Sequence, residues 1–259
     1  YFIIDFANIP LWPVIPSNIN MNNLLIIIPA YNEGENLINL VKKIESINYN
    51  WNIIIIDDSD NIKTKKLISD YENKKLHYVK RDIKMGRGNA VRYGFQYSIK
   101  NNFEYTLEMD ADFSHDPDEI NLLLKKILES NSDLVIGSRY LKESKINGWP
   151  LKRLIFSKFS NFFAKCLFGS GITDYTNGFR IYNSNSINEI MKHKIVNNGF
   201  MYLTETFSIL KKKNYKITEH STIFTNRQRG ISSVTLSEII NSFIGIIKLR
   251  FRKLWITIH

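Results

Sequence analysis

Cysteine is all but missing from this chain. Of 259 residues only Cys166 carries a thiol, so no intramolecular disulfide can form and a cysteine-ligated zinc cage is excluded; such usage fits a reducing compartment. Acidic residues are in deficit, 25 against 35 Lys plus Arg, for a formal charge of +10. That excess suits an anionic partner: nucleic acid, a phosphate-bearing substrate or an acidic membrane surface. No run approaches the roughly 18 uninterrupted apolar residues of a spanning helix. No signal peptide stands out: the apolar start from Tyr1 to Pro16 is broken by Pro10, Pro13 and Pro16 and has no basic leader. Low-complexity linkers and internal repeats are lacking too. What is present is ordinary globular chemistry, 44% hydrophobic and 23% charged, which excludes wholesale disorder and collagen-like structure. The length allows one large domain or two small ones at roughly 150 residues each, with enough chain to bury a sizeable core. The chain begins with Tyr, and Met21 stands just before the first strand-like run, so residues 1–20 read as an upstream extension.

From Met21 onward, short apolar runs alternate with helical patterns. Leu24–Ile28, Ile53–Ile56, Leu76–Val79, Tyr105–Met109 and Leu134–Ile136 read as buried parallel strands. Between them helices are predicted at Asn36–Ile47, Lys63–Tyr71 and Gly88–Lys100. A further one follows Asp116-Pro117, where Ile120, Leu123, Leu124, Ile127 and Leu128 recur at helical spacing. There Asp116 suits the N-cap and Pro117 the first helical position. This order implies an α/β domain with a mostly parallel sheet, whose ligands bind beyond the C-terminal strand ends. Past residue 150, helices are expected at Leu151–Phe168 and Tyr202–Lys212. Leu236–Ile258 is apolar first, then basic and aromatic through Lys248, Arg250, Phe251, Arg252, Lys253 and Trp255. It reads equally as an interfacial helix and as a terminal helix packed on its own domain.

Three acidic motifs fall at predicted strand ends. Asp110-Ala111-Asp112 follows Tyr105–Met109; two carboxylates two positions apart, where a strand opens into a loop, can turn toward one Mg²⁺ or Mn²⁺ ion. Ser114 could add a hydroxyl. Pro29-Ala30-Tyr31-Asn32-Glu33 follows the first strand and could hold a flat base or a sugar; the plain alternative is a turn with Glu33 favouring a helix start. Asp57-Asp58-Ser59-Asp60 follows the second; one carboxylate could accept from a base or ribose, or simply cap the next helix. Lys84 to Ala90, with Gly86 and Gly88, forms a loop opening a helix whose amides could approach an anion, though it matches neither the phosphate-loop nor the dinucleotide fingerprint. Arg139, Arg153 (with Ser157 one turn on), Arg180, Arg227 and Arg229 are candidate phosphate contacts, against the commoner fate of a solvated arginine.

Together these residues resemble the family 2 glycosyltransferases of the GT-A fold, and within them the dolichol-phosphate or polyprenol-phosphate mannosyltransferases. The carrying motifs are Pro29-Ala30-Tyr31-Asn32-Glu33, Asp57-Asp58-Ser59, Asp110 to Pro117, Gly137-Ser138-Arg139-Tyr140, Trp149 to Arg153, Gly178-Phe179-Arg180 and Arg227 with Gly230. The resemblance covers about residues 24–253. It implies a Rossmann-like, mostly parallel sheet flanked by helices, residues 21–235 as the catalytic domain and 236–259 as a C-terminal amphipathic helix at a membrane surface. Pro29, Tyr31, Glu33, Ile56 and Asp58 would line the nucleotide pocket. Asp110, Ala111, Asp112 and Ser114 would surround metal and diphosphate. Arg139 and Arg227 would contact phosphates, and Arg153 with Ser157 would hold the acceptor phosphate. The chain departs from the family pattern at Ser233, Leu203 and Asn177, where Lys, Gln and Ser are usual.

The implied reaction is metal-dependent, inverting transfer of mannose from GDP-mannose to a dolichyl or polyprenyl phosphate. A phosphate monoester is already anionic at neutral pH, so it calls for positive charge to position it and for no strong base. The lipid tail gives the basic, apolar helices at 151–168 and 236–258 a role in peripheral docking on the cytoplasmic side of a membrane, alone or with a small anchoring subunit. The alternatives are a UDP-sugar donor, a saccharide hydroxyl acceptor with Asp174 or Glu205 as base, and a binding-only relative. A nucleic-acid partner has no helix-turn-helix, aromatic RNA-binding signature or zinc spacing behind it.

Overall fold

A computed structural model describes residues 23–226 except 72, 170 and 200. The extension at 1–20, Arg227, Arg229, Ser233, the boundary at 235 and the helix expected at 236–258 all lie outside the described residues. The elements run β1 (Leu24–Ala30), α1 (Glu35–Ile47), β2 (Asn52–Asp57), α2 (Lys63–Ser69), β3 (Leu76–Lys80), α3 (Arg87–Lys100), β4 (Tyr105–Glu108), α4 (Ile120–Ser130), β5 (Leu134–Ser138), β6 (Lys145–Asn147), α5 (Leu151–Phe168), β7 (Arg180–Asn183), α6 (Ser184–Met191), α7 (Tyr202–Lys212), β8 (Ile217–Ser221) and β9 (Ile223–Thr225). Seven strands form one sheet in the order β3-β2-β1-β4-β7-β5-β8, and β6 pairs with β9 apart from it.

The apolar runs of β1, β2, β4 and β5 became strands because they are covered on both sides, whereas Leu76–Val79, expected to be buried, forms edge strand β3 and is half-buried with His77 exposed. In β1 the alternation is complete: Leu24, Ile26 and Ile28 join the core under α1 and α4, while Leu25 and Ile27 join the core under α3, α6 and α7. Gly94 lets α3 lie against the sheet, since a Cβ there would overlap Ile27. The expected α4 is preceded by a 3₁₀ turn, Pro117–Glu119, and Asp116 caps that turn by accepting from the Asp118 amide at 3.0 Å. Helix α2 ends two residues short of the expected Tyr71.

Strand β7 runs antiparallel between β4 and β5, so the loop before it arrives at the edge where β1, β2 and β4 end. Helix α5 covers the predicted span yet buries only Asn161 and Ala164. Its outer face presents Leu151, Ile155, Phe159 and Phe162, each more than half exposed. Among the described residues no helix is long and apolar enough to cross a membrane.

Candidate active site

After β1 the chain fills positions on one side, β2 and β3, then returns to the other side of β1 as β4. The crevice at such a switch point, beyond the strand ends, is where an open α/β sheet takes its ligand. The three acidic motifs open into it, and those after β1 and β2 are cross-tied. The Asn32 amide donates to Ser59 Oγ at 2.8 Å, the Asn61 side chain donates to Asn32 Oδ1 at 2.7 Å, and Tyr31 OH donates to Asp60 at 3.3 Å. Lys84 Nζ sits 3.7 Å over the Tyr31 ring. Asp58 is not a loose acceptor: Arg81 grips it through Nε and Nη2, and the Met85 amide donates to it at 3.1 Å. Asp57 accepts from the Ser59 amide at 2.8 Å and from Tyr78 OH at 2.6 Å. Pro29 and Glu33 are half-buried and Tyr31 is exposed at the rim. Ile56 is fully buried in the core against α3, so only its backbone can face a ligand.

Past β4, Asp112 Oδ1 accepts from both the amide and the hydroxyl of Ser114, around a turn in which Phe113 has φ +59°. A side chain other than glycine rarely adopts that angle, and such positions gather at functional turns. Ala111 and Ser114 are buried, while Asp112 is half-exposed. Asp110 Oδ1 accepts from Arg87 Nε at 2.8 Å. Burial alone would raise the Asp110 pKa, but the Arg87 guanidinium outweighs it and holds the carboxyl below its usual range. The Asp110 amide donates to His115 Nδ1 at 3.1 Å, and His115 Nε2 lies 2.9 Å from Asn177 Oδ1. Burial pushes the His115 imidazole down; it is neutral, with the proton on Nε2, and both nitrogens are engaged.

Arg139 leaves the end of β5 and meets the loop before β7. Asp174, fully buried, accepts from Arg139 Nε at 2.7 Å and Nη2 at 2.8 Å, and from the Arg139 amide at 3.1 Å. Burial would raise the Asp174 pKa; the guanidinium more than offsets it and lowers it. Among the described residues no hydrogen-bond partner takes Arg139 Nη1. The guanidinium lies 5.2 Å from the centre of the Trp149 ring, and Arg153 stacks at 4.2 Å on the same ring while donating to Asn226 at 2.9 Å. Tyr140 OH donates to Ser157 Oγ at 2.6 Å. Arg139, Arg153 and Ser157 thus share one neighbourhood, and Arg139 and Asp110 lie within electrostatic reach of each other. A pocket of about 600 Å³ runs from Arg139 and Tyr140 along α5, past Leu154, Lys158 and Phe162.

Two candidates are structural in this fold. Arg180 is fully buried and spends its guanidinium on the carbonyls of Asn177, Leu203 and Tyr175, each at 2.8 Å. Glu205 is buried and accepts from the amides of Val196 and Asn197 and from the Asn197 side chain. Sequence reasoning missed three partners: Arg87, Glu108 and the tie from Asp174 to Arg139. An acidic residue inside an apolar strand, Glu108, and an arginine between two glycines, Arg87, were the signals available for the first two. The third had none, because Arg139 and Asp174 are brought together only by the antiparallel insertion of β7.

Acidic loops gathered at a switch point of a mostly parallel sheet define a GT-A-like α/β domain. A crystal structure of glucosyl-3-phosphoglycerate synthase from Mycobacterium tuberculosis, in complex with Mn²⁺, UDP and phosphoglyceric acid, shares this fold at a TM-score of 0.63 and 13% identity, over 88% of this chain and 77% of that one. Mannosyl-3-phosphoglycerate synthase from Rubrobacter xylanophilus does so at 0.62 and 15%, over 89% and 73%. In sequence, the model of glycosyl transferase family 2 matches residues 25–191. Among curated relatives, the polyprenol monophosphomannose synthase of Mycolicibacterium smegmatis is 31% identical over 218 residues, 83% of this chain and 82% of the relative. The undecaprenyl-phosphate mannosyltransferase of Micrococcus luteus is 26% identical over 234 residues, 90% and 96%. The chain belongs to glycosyltransferase family 2 and is a glycosyltransferase.

Proposed function

We propose that the protein transfers mannose from GDP-mannose to a polyprenyl phosphate at a membrane surface, with inversion at the sugar carbon. The observation that carries this reading is an acceptor side furnished, among the described residues, with cations while the two candidate bases are already engaged. Arg139 and Arg153 flank Trp149 beside Ser157, whereas Asp174 and Glu205 are buried and fully engaged. A sugar hydroxyl would need one of these carboxylates to take its proton; a phosphate monoester needs only charge and orientation. The names of the two mannosyltransferase relatives support the same acceptor and sugar.

The residues fit a hard divalent ion. Asp110 and Asp112 are oxygen donors at one strand end, Asp110 is held ionised, and His115 has no nitrogen to spare. Among the described residues no three His, Cys, Asp or Glu side chains gather as a metal cage, which suits Mg²⁺ or Mn²⁺ completed by diphosphate oxygens and water. Asp110 and Asp112 would hold it, with Ser114 fixing Asp112. When bound, the ion neutralises charge developing on the leaving diphosphate. Arg139, held square by Asp174, offers Nη1 to a phosphate, and Arg153 with Ser157 steadies the acceptor for in-line attack. Pro29, Tyr31, Glu33, Asp58 and the Ile56 backbone border the nucleotide, and Arg227 contributes a further phosphate contact. The exposed apolar stripe of α5, flanked by Lys152, Lys158 and Lys165, seats the protein on anionic lipid, each nearby cation adding about 1 kcal/mol.

Purified protein with Mn²⁺ or Mg²⁺, a short polyprenyl phosphate and labelled GDP-mannose is expected to move label into the organic phase, and Asp112→Ala to abolish it. Label from UDP-glucose alone would refute the donor, and retained configuration in the product would refute the displacement.

A further inference from the structure

Arg87 contacts Asp110, one of the two carboxylates read above as the cation's ligands, and the proposed reaction gives it no role beyond keeping that carboxyl ionised. It opens α3 and turns its side chain under the end of β4, where it is 11% exposed. Nε donates to Asp110 Oδ1 at 2.8 Å, Nη1 donates to Glu108 Oε2 at 3.0 Å and to Tyr202 OH, and Nη2 donates to the Gly178 carbonyl at 3.2 Å. Glu108 is fully buried and is also met by Tyr182 OH at 2.8 Å. The path of the guanidinium depends on Gly178, because a Cβ there would overlap it. So a fixed positive charge, braced by three separate segments, occupies one oxygen of the very carboxylate that faces the crevice.

We infer that Arg87 is a positioning residue that aims Asp110 in the empty site and competes there with the divalent ion, so that tight cation binding waits for the diphosphate. The inference rests on the reading of Asp110 and Asp112 as the cation's ligands. Physically, a cation approaching Asp110 alone meets the repulsion of Arg87 and finds one lone-pair direction taken. A nucleoside diphosphate brings oxygens and negative charge that tip the balance, coupling the two ligands.

The test counts free Mn²⁺ by electron paramagnetic resonance, with and without GDP and with no sugar transfer involved. Wild type is expected to hold Mn²⁺ weakly alone and much more tightly with GDP. Arg87→Met is expected to bind Mn²⁺ alone about tenfold more tightly, and its gain on adding GDP to shrink by a similar factor. Arg87→Lys, which keeps the charge but not the fork, is expected to stay within about threefold of wild type. Gly178→Ala displaces the guanidinium while leaving every charge in place. It is expected to shift in the direction of Arg87→Met, and it decides the matter if Arg87→Met does not fold. Wild-type Mn²⁺ affinity in a folded Arg87→Met or in Gly178→Ala would overturn the inference while leaving the cation site standing. Wild type that takes up no Mn²⁺ with GDP, or Asp112→Asn that takes it up equally well, would overturn the cation site itself and the inference with it.

Discussion

Replacing Asp174 by Asn isolates the device that squares Arg139. The carboxylate accepts from Arg139 through Nε, Nη2 and the amide, from Thr176 through amide and hydroxyl, and from the Asn177 amide. Asn offers one acceptor oxygen in place of two, turns a donor toward donors, and leaves a guanidinium with 7% side-chain exposure without its counter-charge. Breaking a buried pair from one side costs about 3–5 kcal/mol, which at ordinary slopes moves a urea midpoint down by about 1–2 M. The pH dependence carries a sign. Asp174 has its pKa lowered on folding, so the stability it contributes is fully present above about pH 4, the unfolded value. It is lost as pH falls through the lower folded value. Wild type is therefore expected to lose stability on acidification below about pH 4 more steeply than Asp174→Asn. Urea unfolding of both proteins from pH 3 to 7 checks this. A midpoint within about 0.3 M of wild type at pH 7, or parallel acid limbs, would refute the reasoning that the pair is tightly coupled.

Three further outcomes are expected. Gly94→Ala drives a methyl into Ile27, the closest approach being to its Cδ1 at 2.5 Å, and is expected to cost about 1–3 kcal/mol in chemical unfolding by overpacking the interface of α3 with β1. Phe159→Asp with Phe162→Asp, at positions 54% and 64% exposed, is expected to leave the melting temperature within a few degrees and to cut retention on anionic vesicles; undiminished retention would remove α5 from the docking surface. Asp112→Asn touches only Ser114 among the described hydrogen bonds, so it is expected to fold normally, lose about 1 kcal/mol at most, and lower kcat at least about 100-fold in the labelled-sugar assay.

Strands β1, β2, β4 and β5 were legible because they are short apolar runs covered on both faces, and helix α5 was legible to the residue because Leu, Ile and Phe recur from Leu151 to Phe168 interleaved with basic residues. Strand β7 was not. Its residues, Arg180 to Asn183, alternate poorly, and its first residue is an arginine whose guanidinium is satisfied by carbonyls that only the folded loop and α7 supply. The same strand explains why the candidate site was half readable. Asp110, Asp112 and the β1 and β2 motifs stand at the ends of consecutive parallel strands, where topology alone directs them to one crevice. Asp174, Asn177 and Gly178 reach that crevice because an antiparallel strand delivers the preceding loop to the same edge.

That delivery also divides the arginines by task. Arg180 is consumed by two carbonyls of the loop before it and one of α7, Arg81 by Asp58 and Arg87 by Glu108 and Asp110. Residue type alone offered Arg139, Arg153 and Arg180 as candidate phosphate contacts, and only the family resemblance gave Arg139 and Arg153 roles. The folded structure separates them: Arg180 is fully buried and spent on three carbonyls, whereas Arg139 has no hydrogen-bond partner at Nη1 among the described residues and Arg153 stacks on Trp149 while donating to Asn226. In the proposed reaction the site meets two anions, a diphosphate leaving and a phosphate monoester arriving, and needs cations that are fixed but not fully spent. Asp174 fixes Arg139 by taking only part of its guanidinium, and under that proposal a fully buried acid, useless as a base, belongs to the working parts of the acceptor side.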